Sequence, residues 1–193
     1  MKKDIILAGV GGQGILSIAA CIGMAALEES LNLKQAEVHG MSQRGGAVHS
    51  NLRLSSEPIA SDLIPEGKAD IILAVEPMES LRYLPMLNNN GWIITSINPF
   101  VNIKDYPEIE QVMNEIWKQP RYITLDADTM AKDCGSVRAA NMVVLGAATP
   151  FLDLKLSNIE NAVRSLFGSK GDDVVELNLK ALKVGRDHAL KQL

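Results

Sequence analysis

The chain is poor in cysteine and in aromatic residues. Only 4% of its 193 residues are Phe, Trp or Tyr, and its two cysteines, Cys21 and Cys134, are far apart in the sequence. Two such thiols supply neither the four ligands of an iron–sulfur cluster nor a C-x-x-C redox pair. Any iron–sulfur chemistry must therefore be located on another chain.

Clustered positive charge and long apolar runs are also missing. The formal net charge is −4, and the longest basic run is Lys2-Lys3. Nucleic-acid binding requires a clustered excess of Lys and Arg, so we expect no nucleic-acid partner. No segment reaches the roughly 18 apolar residues of a membrane span, and glycines interrupt the apolar residues after Lys3, unlike the core of a signal peptide. We expect a cytoplasmic protein with no membrane partner.

Strand-like and helix-like segments alternate along the whole chain, which predicts an α/β fold. The composition, 47% hydrophobic and 22% charged, favours a single domain over residues 1–193. We predict a Rossmann-like, doubly wound, mostly parallel sheet with helices on both faces. The predicted strands are Ile5–Ala8, Ala36–His39, Val48–Leu54, Ile71–Val75, Trp92–Ile97 and Tyr122–Leu125. The predicted helices are Ile15–Glu29, Pro77–Tyr83, Pro107–Lys118, Val137–Phe151, Ile159–Phe167 and Val174–Leu190.

Some local patterns give finer expectations. Apolar and polar residues alternate over Val48–Leu54, which favours an edge strand with one solvated face. Acidic and hydroxyl side chains are expected to cap helices rather than bind metal. The expected caps are Ser157 in a capping box with Glu160, Asp172 or Asp173 before the last helix, and Asp126 or Asp128 after the sixth strand.

The strongest motif is a glycine-rich turn between the first predicted strand and the first predicted helix. Residues 9–14 read GVGGQG, which satisfies the G-x-G-x-x-G pattern. Such a turn directs free backbone N–H groups and the positive end of a helix dipole at one point, where a phosphate can bind. The candidate ligand-binding residues are Gly9, Gly11, Gly12, Gln13 and Gly14. The alternative is that these glycines serve packing alone.

A second group of candidate residues follows the second predicted strand. In a doubly wound sheet this segment lies beside the first glycine turn. Arg44 is followed by two glycines and has a planar, permanently charged group suited to phosphate or carboxylate. Glu37 comes where a dinucleotide-binding domain places its ribose-binding acid, about 20 residues after the glycines. We predict that Arg44 is the ligand-binding residue, because Glu37 lies inside the strand and His39 is expected to be structural.

These segments together resemble a known family. The resemblance is to the gamma-type domain of the 2-oxoacid:ferredoxin oxidoreductases, and within that family to the smaller subunit of the indolepyruvate enzymes. It covers nearly the whole chain. The segments that carry it are 9–14 (GVGGQG), 37–46 (EVHGMSQRGG), 63–65 (LIP), 69–70 (AD), 76–77 (EP), 138–142 (RAANM) and Gly146.

The resemblance implies an oxidative decarboxylation in which an arylpyruvate, coenzyme A and oxidised ferredoxin give an acyl-CoA, carbon dioxide and reduced ferredoxin. It implies a hetero-oligomer whose large subunit carries thiamine diphosphate, magnesium and the iron–sulfur clusters. The sequence agrees, because a thiamine diphosphate domain needs Gly-Asp-Gly followed downstream by Asn-Asn. Its nearest approach, Gly171-Asp172-Asp173, has too little chain after it. We therefore expect no cofactor, metal or catalytic residue on this chain alone, and no activity without its partner.

Two other functions remain open at this point. The chain could be a stand-alone NAD-binding oxidoreductase, although no Tyr-x-x-x-Lys follows the glycine turn. It could also be a non-catalytic nucleotide-binding module, because Rossmann units serve many purposes. For partner docking, the sequence offers the proline-stiffened apolar segment 63–65, with Pro58 and Ile59 before it.

Overall fold

The computed structural model of the protein describes residues 1–39 and 45–193, and of His39 only the backbone. Arg44 therefore lies outside the described residues. The six strands are β1 (Lys2–Val10), β2 (Asn32–His39), β3 (Ala47–Ser55), β4 (Ala69–Ala74), β5 (Leu87–Ser96) and β6 (Tyr122–Leu125). The seven α-helices of the described part are α1 (Ile15–Glu28), α2 (Pro77–Arg82), α3 (Ile109–Trp117), α4 (Ala127–Cys134), α5 (Ala140–Ala148), α6 (Leu156–Phe167) and α7 (Asp172–Leu190).

The strands form one mostly parallel sheet in the order β2-β3-β1-β4-β5-β6. The β1–β4, β4–β5 and β5–β6 pairs are parallel, whereas β3 is antiparallel to both β1 and β2. The expectation that residues 48–54 form an edge strand is wrong, because β3 lies inside the sheet and β2 and β6 are its edges. Its polar residues alternate because they have partners within the protein. Arg53 pairs with Asp4, and the Asn51 Oδ1 accepts the Ile64 N–H.

Helices cover both faces of the sheet, as the sequence predicts for a doubly wound fold. On one face, α1 and α4–α7 bury a continuous apolar cluster against the strands, with Ile5, Leu7 and Leu73 among its members. Helices α5 and α7 cross so closely that a Cβ at Gly146 would lie 1.9 Å from the Leu182 carbonyl oxygen. On the other face, α2, α3 and an irregular segment cover two smaller clusters around Ile6 and Ile93.

Helix ends differ from expectation where a distant residue supplies the hydrogen bond. The capping box at Ser157 is wrong, because α6 begins earlier. There the Glu29 carboxylate, just beyond α1, accepts the Lys155 N–H at 2.7 Å and the Asn158 side-chain amide at 3.1 Å. Neither acidic residue at the start of α7 caps that helix. Its N-cap is Gly171, and Asp172 and Asp173 occupy the first turn, where their charge favours the helix dipole.

Candidate functional site

The glycine turn joins the carboxyl end of β1 to the start of α1, as the motif predicts. Gly12 and Gly14 have φ angles of 103° and 80°, a left-handed conformation that side chains with a Cβ rarely adopt. The side chain of Gln13 folds back, and its Oε1 accepts the Val10 N–H at 2.8 Å. Gln13 therefore braces the turn through its own side chain.

The glycines have different structural roles. A Cβ at Gly9 would lie 2.4 Å from the Val75 Cγ2, so Gly9 allows β1 to approach its neighbour. A Cβ at Gly14 would lie 2.4 Å from the Asn141 Nδ2, whereas a Cβ at Gly12 would meet no atom of the described residues within 4 Å. Close packing thus explains why residue 9 is glycine. It is also one of the reasons why residue 14 is glycine. None of the described residues occupies the space beside Gly12, where a ligand could approach.

Some backbone N–H groups of the glycine turn donate a hydrogen bond to a described residue, and others do not. The Gly11 N–H donates to the Gly46 carbonyl at 2.8 Å, and the Gln13 N–H donates to the Val10 carbonyl at 3.1 Å. Within residues 1–39 and 45–193, no acceptor is found for the N–H groups of the residues that start α1. These are Gly12, Gly14, Ile15 and Leu16. Unused donors at a helix N-terminus favour an anionic or strongly polar ligand.

A cavity of about 380 Å³ opens beside this turn. It is lined by the glycines, by apolar side chains of β1, α1 and β3, and by Glu37 of β2. The Glu37 Oε2 is buried and has no hydrogen-bond partner among the described residues. Among the described residues of the lining, Glu37 is the only charged one. This carboxylate would repel a phosphate placed beside it and would accept a hydrogen bond from a ligand hydroxyl or amide.

A buried carboxylate, Glu76, anchors the loop of residues 97–108, which also contacts Gly45 near the glycine turn. The Glu76 Oε1 accepts the Tyr106 hydroxyl and, at 3.3 Å, the Phe100 N–H, while its Oε2 accepts the Glu79 N–H at 2.7 Å. On the same loop, the Asn102 side-chain amide donates to the Gly45 carbonyl at 2.6 Å. The sequence shows Glu76 only as a residue before a helix-starting proline. The missed signal is the acid three residues later, since Glu76 is the N-cap of α2.

Other candidate residues prove to be structural. Asp126 caps α4 as predicted, accepting the Thr129 N–H at 3.1 Å, and hydrogen bonds from Asn98 and Thr129 lower the pKa of its carboxyl. Burial raises the pKa of the Cys21 thiol to about 12, so Cys21 is not a thiolate nucleophile. Of the predicted docking segment, Ile64 packs against Ile6 and Ile72, whereas Leu63 is 56% exposed.

The described part of the chain contains neither a helix suited to cross a membrane nor a cluster of metal-ligating side chains. None of its helices has the length and apolar character needed to traverse a bilayer. None of its His, Cys, Asp and Glu side chains gather in threes or more at a place where a metal ion could bind.

The profile of the Pyruvate ferredoxin/flavodoxin oxidoreductase family matches residues 4–188. The chain belongs to this family. It is 38% identical over 199 residues to the indolepyruvate oxidoreductase subunit IorB of Archaeoglobus fulgidus, a match that covers 98% of this chain and 96% of that subunit. The resemblance predicted from the motifs is therefore confirmed.

Two solved structures share the fold over nearly the whole chain. The keto/oxoacid ferredoxin oxidoreductase gamma subunit of Geobacter sulfurreducens is 25% identical with a TM-score of 0.70, covering 98% of this chain and 99% of that one. The 2-oxoglutarate:ferredoxin oxidoreductase of Magnetococcus marinus, with 2-oxoglutarate, coenzyme A and succinyl-CoA bound, is 23% identical with a TM-score of 0.80. That match covers 100% of this chain and 31% of the other. The α/β fold is therefore that of gamma-type subunits.

Proposed function

We propose that this chain is the single-domain small subunit of a 2-oxoacid:ferredoxin oxidoreductase that acts on indolepyruvate or a related arylpyruvate. The observation that carries the proposal is the end-to-end similarity to an indolepyruvate oxidoreductase subunit, at 38% identity. The enzyme would decarboxylate its substrate oxidatively, transfer the acyl group to coenzyme A and reduce ferredoxin. The active species is a hetero-oligomer in the cytoplasm.

The redox and carbanion chemistry belongs to a large partner subunit in this proposal. Thiamine diphosphate, magnesium and the iron–sulfur clusters are assigned to that partner. Two features support the assignment: the sequence has two cysteines, and one of them, Cys21, is buried with a raised thiol pKa. The small subunit contributes the wall of a crevice between subunits, and the exposed Leu63 is a candidate contact with the partner.

The glycine turn and Arg44 are proposed to close over coenzyme A. Residues Gly9, Gly11, Gly12, Gln13 and Gly14 form or support the turn, and the N–H groups at the start of α1 have no acceptor among the described residues. Coenzyme A offers phosphates, hydroxyls and amides, which suit free backbone donors and the acceptor Glu37. Arg44→Ala in the assembled enzyme should raise the KM for coenzyme A, and an unchanged KM would remove Arg44 from the site.

A stand-alone NAD-binding oxidoreductase is disfavoured by the strand order. In dinucleotide-binding domains the ribose-binding acid follows the strand next to the glycine turn. Here β3 lies between β1 and β2, so Glu37 is one strand further away. Saturable binding of NADH by the isolated chain would nonetheless revive this alternative.

The proposed function is tested by purifying the chain together with a large subunit that has thiamine motifs and ferredoxin-like cysteine runs. The complex should reduce ferredoxin or a viologen dye only when both an arylpyruvate and coenzyme A are present. Indolepyruvate should be preferred over aliphatic 2-oxoacids, and each subunit alone should be inactive. Substrate oxidation by this chain without a companion would overturn the proposal.

A further inference from the structure

A second cavity shares Gly14 with the cavity of Glu37. Its volume is about 420 Å³, and its lining comes from the first turns of α1, α5 and α7 and from the segments before α5 and α7. The charged residues of this lining are Arg138 and Lys170, and no carboxylate belongs to it. We call it the cationic cavity. Gly14 belongs to both linings, so one ligand could reach both cavities.

Both cations at this cavity belong to solvent-exposed residues. Neither Arg138 nor Lys170 forms a salt bridge with a described residue. The Lys170 Nζ lies 5.3 Å from the centroid of the ring of Phe167, which also lines the cavity, so the two residues form a cation–π contact. The guanidinium of Arg138 keeps its full set of N–H donors, which match phosphate oxygens.

Two buried amide side chains line the same cavity. Asn141 is 9% exposed and Asn178 is 5% exposed. The Asn141 Nδ2 donates to the Gly14 carbonyl at 3.2 Å, and the Asn178 Nδ2 donates to the Val174 carbonyl at 2.7 Å. An amide nitrogen carries two hydrogens, so each has a second donor left after these contacts. The cavity thus combines two cations with two fixed, nearly buried donors.

The charges of the two cavities indicate which part of a ligand each one accepts. The buried Glu37 Oε2, which has no hydrogen-bond partner among the described residues, opposes a phosphate by like charge, whereas Arg138 and Lys170 attract one. We propose that the cationic cavity is the phosphate subsite of this protein and that the cavity of Glu37 receives a neutral, hydrogen-bond-donating part of the same ligand. This inference rests on the proposed function, because coenzyme A is the phosphorylated ligand it names. Its phosphate can be the 3′-phosphomonoester or the diphosphate.

The inference is tested in the assembled enzyme with the double variant Arg138→Ala/Lys170→Ala. The matched control is Lys180→Ala, which removes an exposed lysine of α7 that does not line the cavity. The double variant should raise the KM for coenzyme A about tenfold or more with little change in kcat, since charge-assisted contacts to the cosubstrate are lost. The control should keep the wild-type KM.

3′-Dephospho-coenzyme A distinguishes the two phosphate sources. If the 3′-phosphomonoester is bound, the double variant should affect coenzyme A alone. If the diphosphate is bound, the KM of both compounds should rise together. A double variant with the same KM values as Lys180→Ala for both compounds would overturn the inference.

A binding measurement on the full chain separates this inference from the proposed function. Inorganic pyrophosphate should raise the melting temperature of the wild type and of Lys180→Ala but not that of the double variant. That result would support the phosphate subsite even if the complex showed no reaction dependent on coenzyme A. Equal stabilisation of all three proteins, or of none, would overturn it. Circular dichroism of each variant verifies that it is folded.

Discussion

The two faces of the central sheet differ in the polarity of the side chains that they bury. The face under α1 and α4–α7 buries one continuous apolar cluster. The face under α2 and α3 has two smaller clusters and several buried polar groups, among them Asp4, Asn51, Glu76 and Glu79. Part of its cover is the irregular segment that contributes Ile64.

This difference indicates that the two faces have different roles. A continuous apolar core stabilises the chain without directional constraints. The polar face fixes loops through specific hydrogen bonds, and one of these loops contacts Gly45 next to the glycine turn. Stability should therefore depend mainly on the first face, and the geometry of the site on the second.

The sharpest comparison uses neighbouring residues of β1. Ile5 and Ile6 are both fully buried, but they point to opposite faces. Ile5→Ala should lower the free energy of unfolding by about 4 kcal/mol and Ile6→Ala by about 2 kcal/mol, at the two ends of the usual range for such changes. The smaller loss is expected because half-buried Tyr83 and Leu84 beside Ile6 can move into the space. Urea unfolding measures both values.

Ile5→Val and Ile6→Val provide the matched controls, since each removes a single methylene group. Each should lower the free energy of unfolding by about 1 kcal/mol, with little difference between the faces. If Ile5→Ala and Ile6→Ala lower the free energy of unfolding equally, the proposed difference between the faces is wrong. That result would show that side chains on both faces fill the vacated space to the same extent.

Removing the Asp4–Arg53 ion pair of the polar face should have the next largest effect on the free energy of unfolding. The Arg53 Nε and Nη2 contact the two Asp4 carboxylate oxygens at 2.7 and 3.1 Å, and its Nη1 donates to the Ser61 and Leu63 carbonyls. Arg53→Ala should lower the free energy of unfolding by about 3 kcal/mol. The reason is that the buried Asp4 carboxylate would keep only the exposed Lys2 as an ion-pair partner. Urea unfolding checks the loss.

Replacing both members of this pair tests its cause. Asp4→Leu/Arg53→Met should recover much of the loss, because apolar groups of similar size leave no unpaired charge. A double variant as unstable as Arg53→Ala would show that the loss comes from the loop carbonyls instead.

Much of the fold could be predicted from local pattern. All six predicted strands and six predicted helices form, because their apolar spacing and turn residues lie within each segment. The glycine turn was predictable for the same reason, since residues 9–14 specify a strand, a turn and a helix in order. The caps at Asp126 and Glu76 are also local, although the role of Glu76 was not recognised.

The remaining features depend on contacts between distant residues. Nothing within residues 48–54 shows that β3 is inserted between β1 and β2, because the polar partners of Arg53 and Asn51 lie elsewhere in the chain. Glu29 accepts the N–H of Lys155, the residue before α6, from 126 residues away. Arg138 and Lys170 likewise share a cavity only after α5 and α7 pack together.

Ionisation of Glu76, a buried carboxylate of the polar face, is expected to have the smallest effect on the free energy of unfolding. Burial raises the pKa of Glu76 from its usual 4.5, against the opposing effect of hydrogen bonds from Tyr106, Glu79 and Phe100. The folded protein therefore keeps this proton at pH values where the unfolded chain has lost it. Consequently, ionisation of Glu76 lowers the free energy of unfolding as pH rises from about 4.5 through the folded-state pKa.

Glu76→Gln removes this titration and imitates the protonated acid, since its amide can donate to Tyr106 while its oxygen accepts the Glu79 N–H. The variant should match the wild type near pH 4 and exceed its free energy of unfolding by on the order of 1 kcal/mol above the folded-state pKa. Urea unfolding from pH 4 to pH 8 measures the difference, with the exposed Glu57→Gln as control. A variant that loses stability relative to the wild type as pH rises would show that the ionised carboxylate stabilises the polar face.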